Sequence, residues 1–171
     1  MIMLPPPSTD AGAETLLFIL ETMDPSNVFY SLASAKQSME WMQLVLVNRL
    51  QNNPRQFMAP GAKSVIGIIK AHGQFAGFSA YPILSTPLAD RLAALLAVAN
   101  NPKDPRSPTY SAFIQTAIAV AKAKPIVDPS LKQNPTSLGL LSWRTQNSGS
   151  PGPRFRIYQS VGGNSFYMLM R

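Results

Sequence analysis

Leu16-Leu17-Phe18-Ile19-Leu20-Glu21-Thr22 is a run of large apolar side chains that carries one carboxylate, with a hydroxyl beside it. An unbroken apolar run of this kind reads as a buried helix segment, and a carboxylate set within it is costly to ionise. Two readings of Glu21 are open. Either its pKa rises and it keeps a proton near neutral pH, as a general acid must, or it faces water at the helix end, since Asp24-Pro25 stops the helix soon after.

Upstream, residues 1–11 are proline-rich (Pro5-Pro6-Pro7) and predict a flexible, loosely held leader, with Thr9 or Asp10 available to cap a helix from about Ala13 to Met23. Downstream, a second helix is expected from about Ser34 to Leu50. It carries Met39, Met42, Leu46 and Leu50 on one stripe, widened by Trp41, Leu44, Val45 and Val47 until its second half is apolar nearly all round, which makes it central. Asn52-Asn53-Pro54 reads as its stop. The short apolar segment Val65–Ile69 has no period of its own, although Ser64 would cap a helix there. It leads into His72-Gly73-Gln74-Phe75-Ala76-Gly77-Phe78-Ser79, a glycine-marked loop that holds polar groups between aromatics and is of the make-up that lines clefts. Helices follow over Pro87–Asn100 and Thr109–Lys124, separated by a polar, proline-punctuated connection. After Pro125, turns alternate with three short strands at Leu138–Trp143, Phe155–Tyr158 and Ser165–Leu169. Helices first and a small antiparallel sheet last make the fold class α+β, in one domain over residues 12–171.

Composition narrows the function. The chain of 171 residues has 15 Lys and Arg against 8 Asp and Glu, a net charge of +7, so its surface favours polyanions. Nucleic acid, anionic lipid and bacterial wall polymer all qualify by charge. The basic residues are scattered, with no dense run to track a phosphate backbone, so no nucleic-acid partner is expected. With no Cys and one His, His72, there is no disulfide, no thiolate and no Cys/His zinc set, so carboxylates must carry any proton transfer. No metal or other cofactor is expected, and no apolar stretch is long enough to span a bilayer. The N-terminus lacks the basic and long apolar regions of a signal peptide, so an exported form is expected to use a route independent of one.

Four segments in order carry a family likeness: Ile19-Leu20-Glu21-Thr22, Gln43-Leu44-Val45-Leu46-Val47-Asn48-Arg49-Leu50, Gly73-Gln74-Phe75 preceded by Val65-Ile66, and Gly162-Gly163-Asn164-Ser165-Phe166-Tyr167. Together with Ala117–Ala123, Asp128-Pro129 and Pro135-Thr136 to Leu141, this series resembles the cell-wall hydrolase family typified by spore-cortex-lytic enzymes, which are lytic transglycosylases on a lysozyme-like scaffold. The resemblance spans about residues 16–168. It implies a lysozyme-like catalytic domain, mainly helical with a small β lobe toward the C-terminus, acting on peptidoglycan glycan strands with Glu21 as its catalytic acid. Thr22 resembles the hydroxyl partner of a Glu-Ser pair. The chain departs from the family pattern in two places: Pro25–Gln37 stands as an insertion where a second acid is usual, and Asn164-Ser165 stands where the family has Asn-His.

Such a reaction needs one carboxyl group, which protonates the glycosidic oxygen between N-acetylmuramic acid and N-acetylglucosamine and then takes the proton of the muramic 6-hydroxyl as that oxygen attacks. Of the chain's acids, only Glu21 stands in an apolar run. Gln74 either donates to a sugar or fixes its loop, and Phe75, Ser79 and Tyr81 either contact sugar rings or serve loop and core. Asn164 and Tyr167 are candidates to steer the region of Glu21, and Asn48-Arg49 reads as a bridge at a helix end. A non-catalytic wall-binding or interaction domain on the same scaffold is the alternative. The biological setting expected is an antibacterial effector, of the type VI kind, delivered to a target cell's periplasm and matched by a cognate immunity protein, or else a phage lysis enzyme.

Overall fold

The structure, a computed structural model, describes residues 1–52, 55–59 and 61–171, with the side chain of Gln56 left aside. The expected stop at Asn53-Pro54 lies outside the described residues. Among the described residues, six α-helices precede a three-stranded sheet: α1 (Asp10–Glu21), α2 (Leu32–Asn52), α3 (Val65–Ile69), α4 (Thr86–Ala99), α5 (Ser107–Lys122), α6 (Ser130–Gln133), then β1 (Leu140–Thr145), β2 (Phe155–Val161) and β3 (Asn164–Leu169). A 3-10 turn at Arg55–Phe57 follows α2. The fold is α+β. The expected helices and strands are present, with boundaries shifted by a few residues; α6, where a turn was expected, is a single turn too short for periodicity to reveal.

Local chemistry accounts for the starts. Thr9 caps α1 by accepting the Gly12 amide at 3.0 Å, and Ser64 caps α3 by accepting the Gly67 amide at 3.2 Å. Residues 1–9 depart from the expectation of a loose leader, because they lie against the helices. Pro5 is buried, the Ile2 amide donates to Asn100 Oδ1 at 2.8 Å, and the Tyr81 hydroxyl donates to the Pro7 carbonyl. Gly12 permits this approach: a Cβ there would stand 2.0 Å from the Pro6 carbonyl oxygen. Apolar Ile2, Leu4 and Pro5 explain the docking, since proline limits helix formation without limiting burial.

α2 is the middle layer. It packs against β1 on one side and against α5 and α3 on the other, which is why its apolar residues are not confined to one stripe. α1 lies on α5, α3 and α4. The sheet order is β1-β3-β2, all antiparallel, so β3 is the central strand and is buried at all six positions. Trp41 of α2 meets Phe166 of β3 and Tyr158 of β2 edge-on, each at 5.3 Å between ring centres. A register shift between Leu140 and Ser142 leaves Leu141 extra on β1; by the ordinary alternation of a strand, Leu140 joins the main core while Leu141 joins Phe57 and Leu169 in a second cluster.

The Asn48-Arg49 pair ties α2 to this sheet. Asn48 Nδ2 donates to Asp128 Oδ2 at 3.0 Å and to the Leu140 carbonyl at 2.9 Å. Asp128 also accepts from the Leu140 amide at 3.0 Å and from the amide and hydroxyl of Ser130. Gly139, at φ +81°, lets the chain pass: a Cβ would sit 2.4 Å from Asp128 Oδ2. Replacing Asn48 by Ala removes donors from a buried carboxylate and a buried carbonyl, and should cost about 2 kcal/mol in urea unfolding. A loss below about 0.5 kcal/mol, the range of ordinary surface substitutions, would contradict this tie.

Candidate functional site

α1 ends at Glu21 because Thr22 turns extended (φ −99°, ψ 144°) while its amide still donates to the Phe18 carbonyl. Three further bonds fix this end. Asn164 Nδ2 donates to the Glu21 carbonyl at 2.7 Å, the Met23 amide to the Gly162 carbonyl at 3.0 Å, and Arg91 Nη1 to the Leu20 carbonyl at 2.8 Å. The partly buried Glu21 side chain stands at this junction of helices and sheet and lines a groove of about 480 Å3. Gly73, Gln74 and Phe75 come to the same groove from the loop after α3, and Ser142, Trp143 and Arg144 come from β1. Gly73 turns that loop at φ +72°, a conformation that suits glycine.

Burial pushes the Glu21 carboxyl above its ordinary pKa, while the Trp143 indole and the charge of Arg91 draw it down without cancelling the rise. Asp24, three residues on, behaves oppositely. Burial alone would raise it, but the Ser26 hydroxyl and amide and the Arg91 guanidinium hold it below the usual carboxylate range. The Arg91 to Asp24 ion pair is 2.8 Å long, so Asp24 stays an anion and largely neutralises Arg91. Two neighbouring acids thus have opposed environments, which push the Glu21 carboxyl up and the Asp24 carboxyl down.

The structure brings Glu21, Gln74, Phe75 and Asn164 to one groove and leaves four other expected residues away from it. Thr22 is buried between α1 and α2, with its hydroxyl 3.5 Å from Ser38 Oγ and 3.7 Å from Met42 Sδ. Ser79 is exposed but lies outside the groove lining, and Tyr81 is buried and stacked on Phe78. These two fall beyond Gly77, where the loop turns from the groove toward α4, whose Leu88 sits against Gly77. Tyr167 is also buried, and its hydroxyl donates to the Gly149 carbonyl at 3.2 Å, holding the turn between β1 and β2. Phe75 forms part of the wall, stacked on Trp143 at 5.0 Å and 27°.

Sequence reasoning missed Trp143 and Glu14. Trp143 reads as strand core, and its place beside the acid is evident only once Glu21 and β1 line one groove. Glu14, two helical turns before Glu21, is likewise buried, and burial with the nearby Asp10 charge raises it to about 8. It does not line the groove, so Glu21 is not the only acid in an apolar setting, but among the described residues it is the only acid lining this groove. No group of three His, Asp or Glu side chains among the described residues converges as a metal centre requires, and no described helix is long and apolar enough to cross a membrane.

No protein-family model matches the chain, and none of the curated proteins or solved structures compared with it matches. The reading of the groove therefore rests on its geometry and on the motifs.

If the Trp143 indole stabilises the Glu21 carboxylate, Trp143→Phe must raise the Glu21 pKa further. A carbon-detected NMR titration of the side-chain carboxyl measures it directly; an unmoved or lowered midpoint would show that the indole does not face the acid.

Proposed function

We propose that the chain cleaves peptidoglycan glycan strands as a lytic transglycosylase on a lysozyme-like scaffold. The observation that carries this reading is a groove whose lining among the described residues includes one acid, Glu21, whose carboxyl burial raises above its ordinary pKa. Glycosidases that activate water use two carboxyl groups about 5–9.5 Å apart. A groove with one acid suits a reaction in which the attacking oxygen belongs to the substrate.

In the proposed reaction, Glu21 gives its proton to the oxygen that links C1 of N-acetylmuramic acid to N-acetylglucosamine, and the C1–O bond breaks. The 6-hydroxyl oxygen of the same muramic residue forms the new bond to C1, and its proton passes to the Glu21 carboxylate, which is thereby restored. The products are a 1,6-anhydromuramic end and a free N-acetylglucosamine end, with no water consumed. Gln74 and Asn164 support the reading as polar groups on the groove wall, and the Asn164 bond to the Glu21 carbonyl keeps the acid in register with the sheet. Ordinary hydrolysis at the same bond is the close variant. The wider setting we propose is an antibacterial effector acting on the wall of a target cell.

Purified sacculi treated with wild type should release muropeptides 18 mass units lighter than hydrolytic products, the mass of one water, at a rate that Glu21→Gln lowers by at least about a hundredfold. The variant should keep the wild-type circular dichroism. Binding to sacculi without release of any muropeptide by the wild type would instead favour the non-catalytic wall-binding reading, and undiminished release by the variant would remove Glu21 from the chemistry.

A further inference from the structure

Arg49 is 3% exposed, yet it lines the same groove as Glu21. Buried guanidinium groups are ordinarily paired with an anion. This one has none. The two ion pairs among the described residues are Arg91 with Asp24 and Arg106 with Asp104, and all eight acids of the chain are among those residues. Arg49 Nε donates to the Leu141 carbonyl at 2.8 Å, which fixes the plane of the group. Among the described residues its two terminal nitrogens meet only neutral oxygens, Gln74 Oε1 and Ser142 Oγ, both at 3.5 Å and so beyond the usual hydrogen-bond range. The guanidinium lies 3.8 Å from the centre of the Phe57 ring and 5.3 Å from that of Phe75, so aromatic faces rather than water surround the charge.

We propose that Arg49 forms a subsite for a carboxylate borne by the ligand, so that the groove prefers glycan strands carrying free carboxyl groups. The geometry suits this chemistry. With Nε committed to Leu141, the remaining pair Nη1 and Nη2 presents a fork that a carboxylate accepts with both oxygens, and the exposed Arg144 beside it on the groove wall adds charge of the same sign. Arg49 does not serve Glu21: the cation whose charge reaches Glu21 is Arg91, and burial alone, with no opposing acid, draws Arg49 down to about 9. At neutral pH it is still a cation. The groove thus offers a proton at one position and an uncompensated positive charge at another, and an occupant that satisfies both is a sugar chain with an appended carboxylate.

The inference rests on the glycan-strand reading above. In peptidoglycan a carboxylate has two sources: the lactyl group of muramic acid where the peptide stem has been removed, and the stem peptide itself. Calorimetry with the Glu21→Gln protein and three probes separates them. The probes are chitotetraose, which has no carboxylate, the N-acetylglucosamine–N-acetylmuramic acid tetrasaccharide with free lactyl groups, and the same tetrasaccharide carrying stem peptides. One or both carboxylate-bearing probes should bind about tenfold tighter than chitotetraose, as expected for one charge-assisted pair, and the tighter one identifies the source. Adding Arg49→Gln should reduce that preference below about twofold while chitotetraose binding persists. The comparison of probes stands even if that second variant does not fold. Equal affinity for all three probes, or no binding to any of them, overturns the proposal. A carboxylate preference without cleavage of sacculi by the wild type would remove the enzymatic reading and leave the subsite; cleavage without the preference would do the reverse.

Discussion

The Asn164 side-chain amide donates to the Glu21 carbonyl across 143 residues of sequence, and on that bond the arrangement of the groove depends. It caps the last turn of α1 with the first residue of β3. A helix end leaves its carbonyls without partners, and a buried end must find donors elsewhere. Here one donor comes from the sheet and another from Arg91 on α4, which bonds the Leu20 carbonyl. The carboxyl that follows is therefore held at the meeting of two layers rather than on a free helix terminus. Gly162 and Gly163 make the sharp return between β2 and β3 that brings Asn164 into position, both at positive φ, and the Gly162 carbonyl accepts the Met23 amide.

Around this junction the charges are sorted. Asp24 and Arg91 satisfy each other beside the groove, so Glu21 is raised by burial with only modest help toward ionisation from Arg91 and the Trp143 indole. Arg49 sits on the same groove without an acid of its own, held between two aromatic rings and a backbone carbonyl. Packing explains how the fold tolerates both groups. The neighbouring core, with Phe18, Met42, Leu46 and Phe166 wholly buried, supplies apolar contact on the order of 2 kcal/mol for each such side chain. That is ample to offset the desolvation of two polar groups at its edge.

Much of the fold is legible in the sequence because its elements carry strong local signals. The all-round apolar second half of α2 announces a middle layer, Ser64 and Thr9 are caps in the chain as they are in the structure, and the late strands stand between turn-formers. The docked N-terminus is not legible, since three prolines look alike whether they cross solvent or lie against a helix, and only the absence of a Cβ at Gly12 hints at contact. The site divides similarly. Glu21, Gln74, Phe75 and Asn164 stand out as polar or aromatic residues in marked surroundings, and they share the groove. Thr22, Ser79, Tyr81 and Tyr167 are sequence neighbours of such residues, but a neighbour on a helix end or strand points elsewhere, and each is placed away from the groove lining. Trp143 and Arg49 gain their significance only from long-range arrangement, the end of α1 and β1 lining one groove and α2 packing on β1, which no local pattern encodes.

The central claim is that the protonated form of Glu21 does the work, and pH tests it most directly. A carboxyl raised by burial donates a proton below its midpoint and loses that capacity as pH rises through it. The account predicts that the alkaline limb of the rate of muropeptide release from sacculi coincides with the Glu21 midpoint measured by NMR in the same protein. A rate that stays level through that midpoint, or that rises across it, would contradict the account.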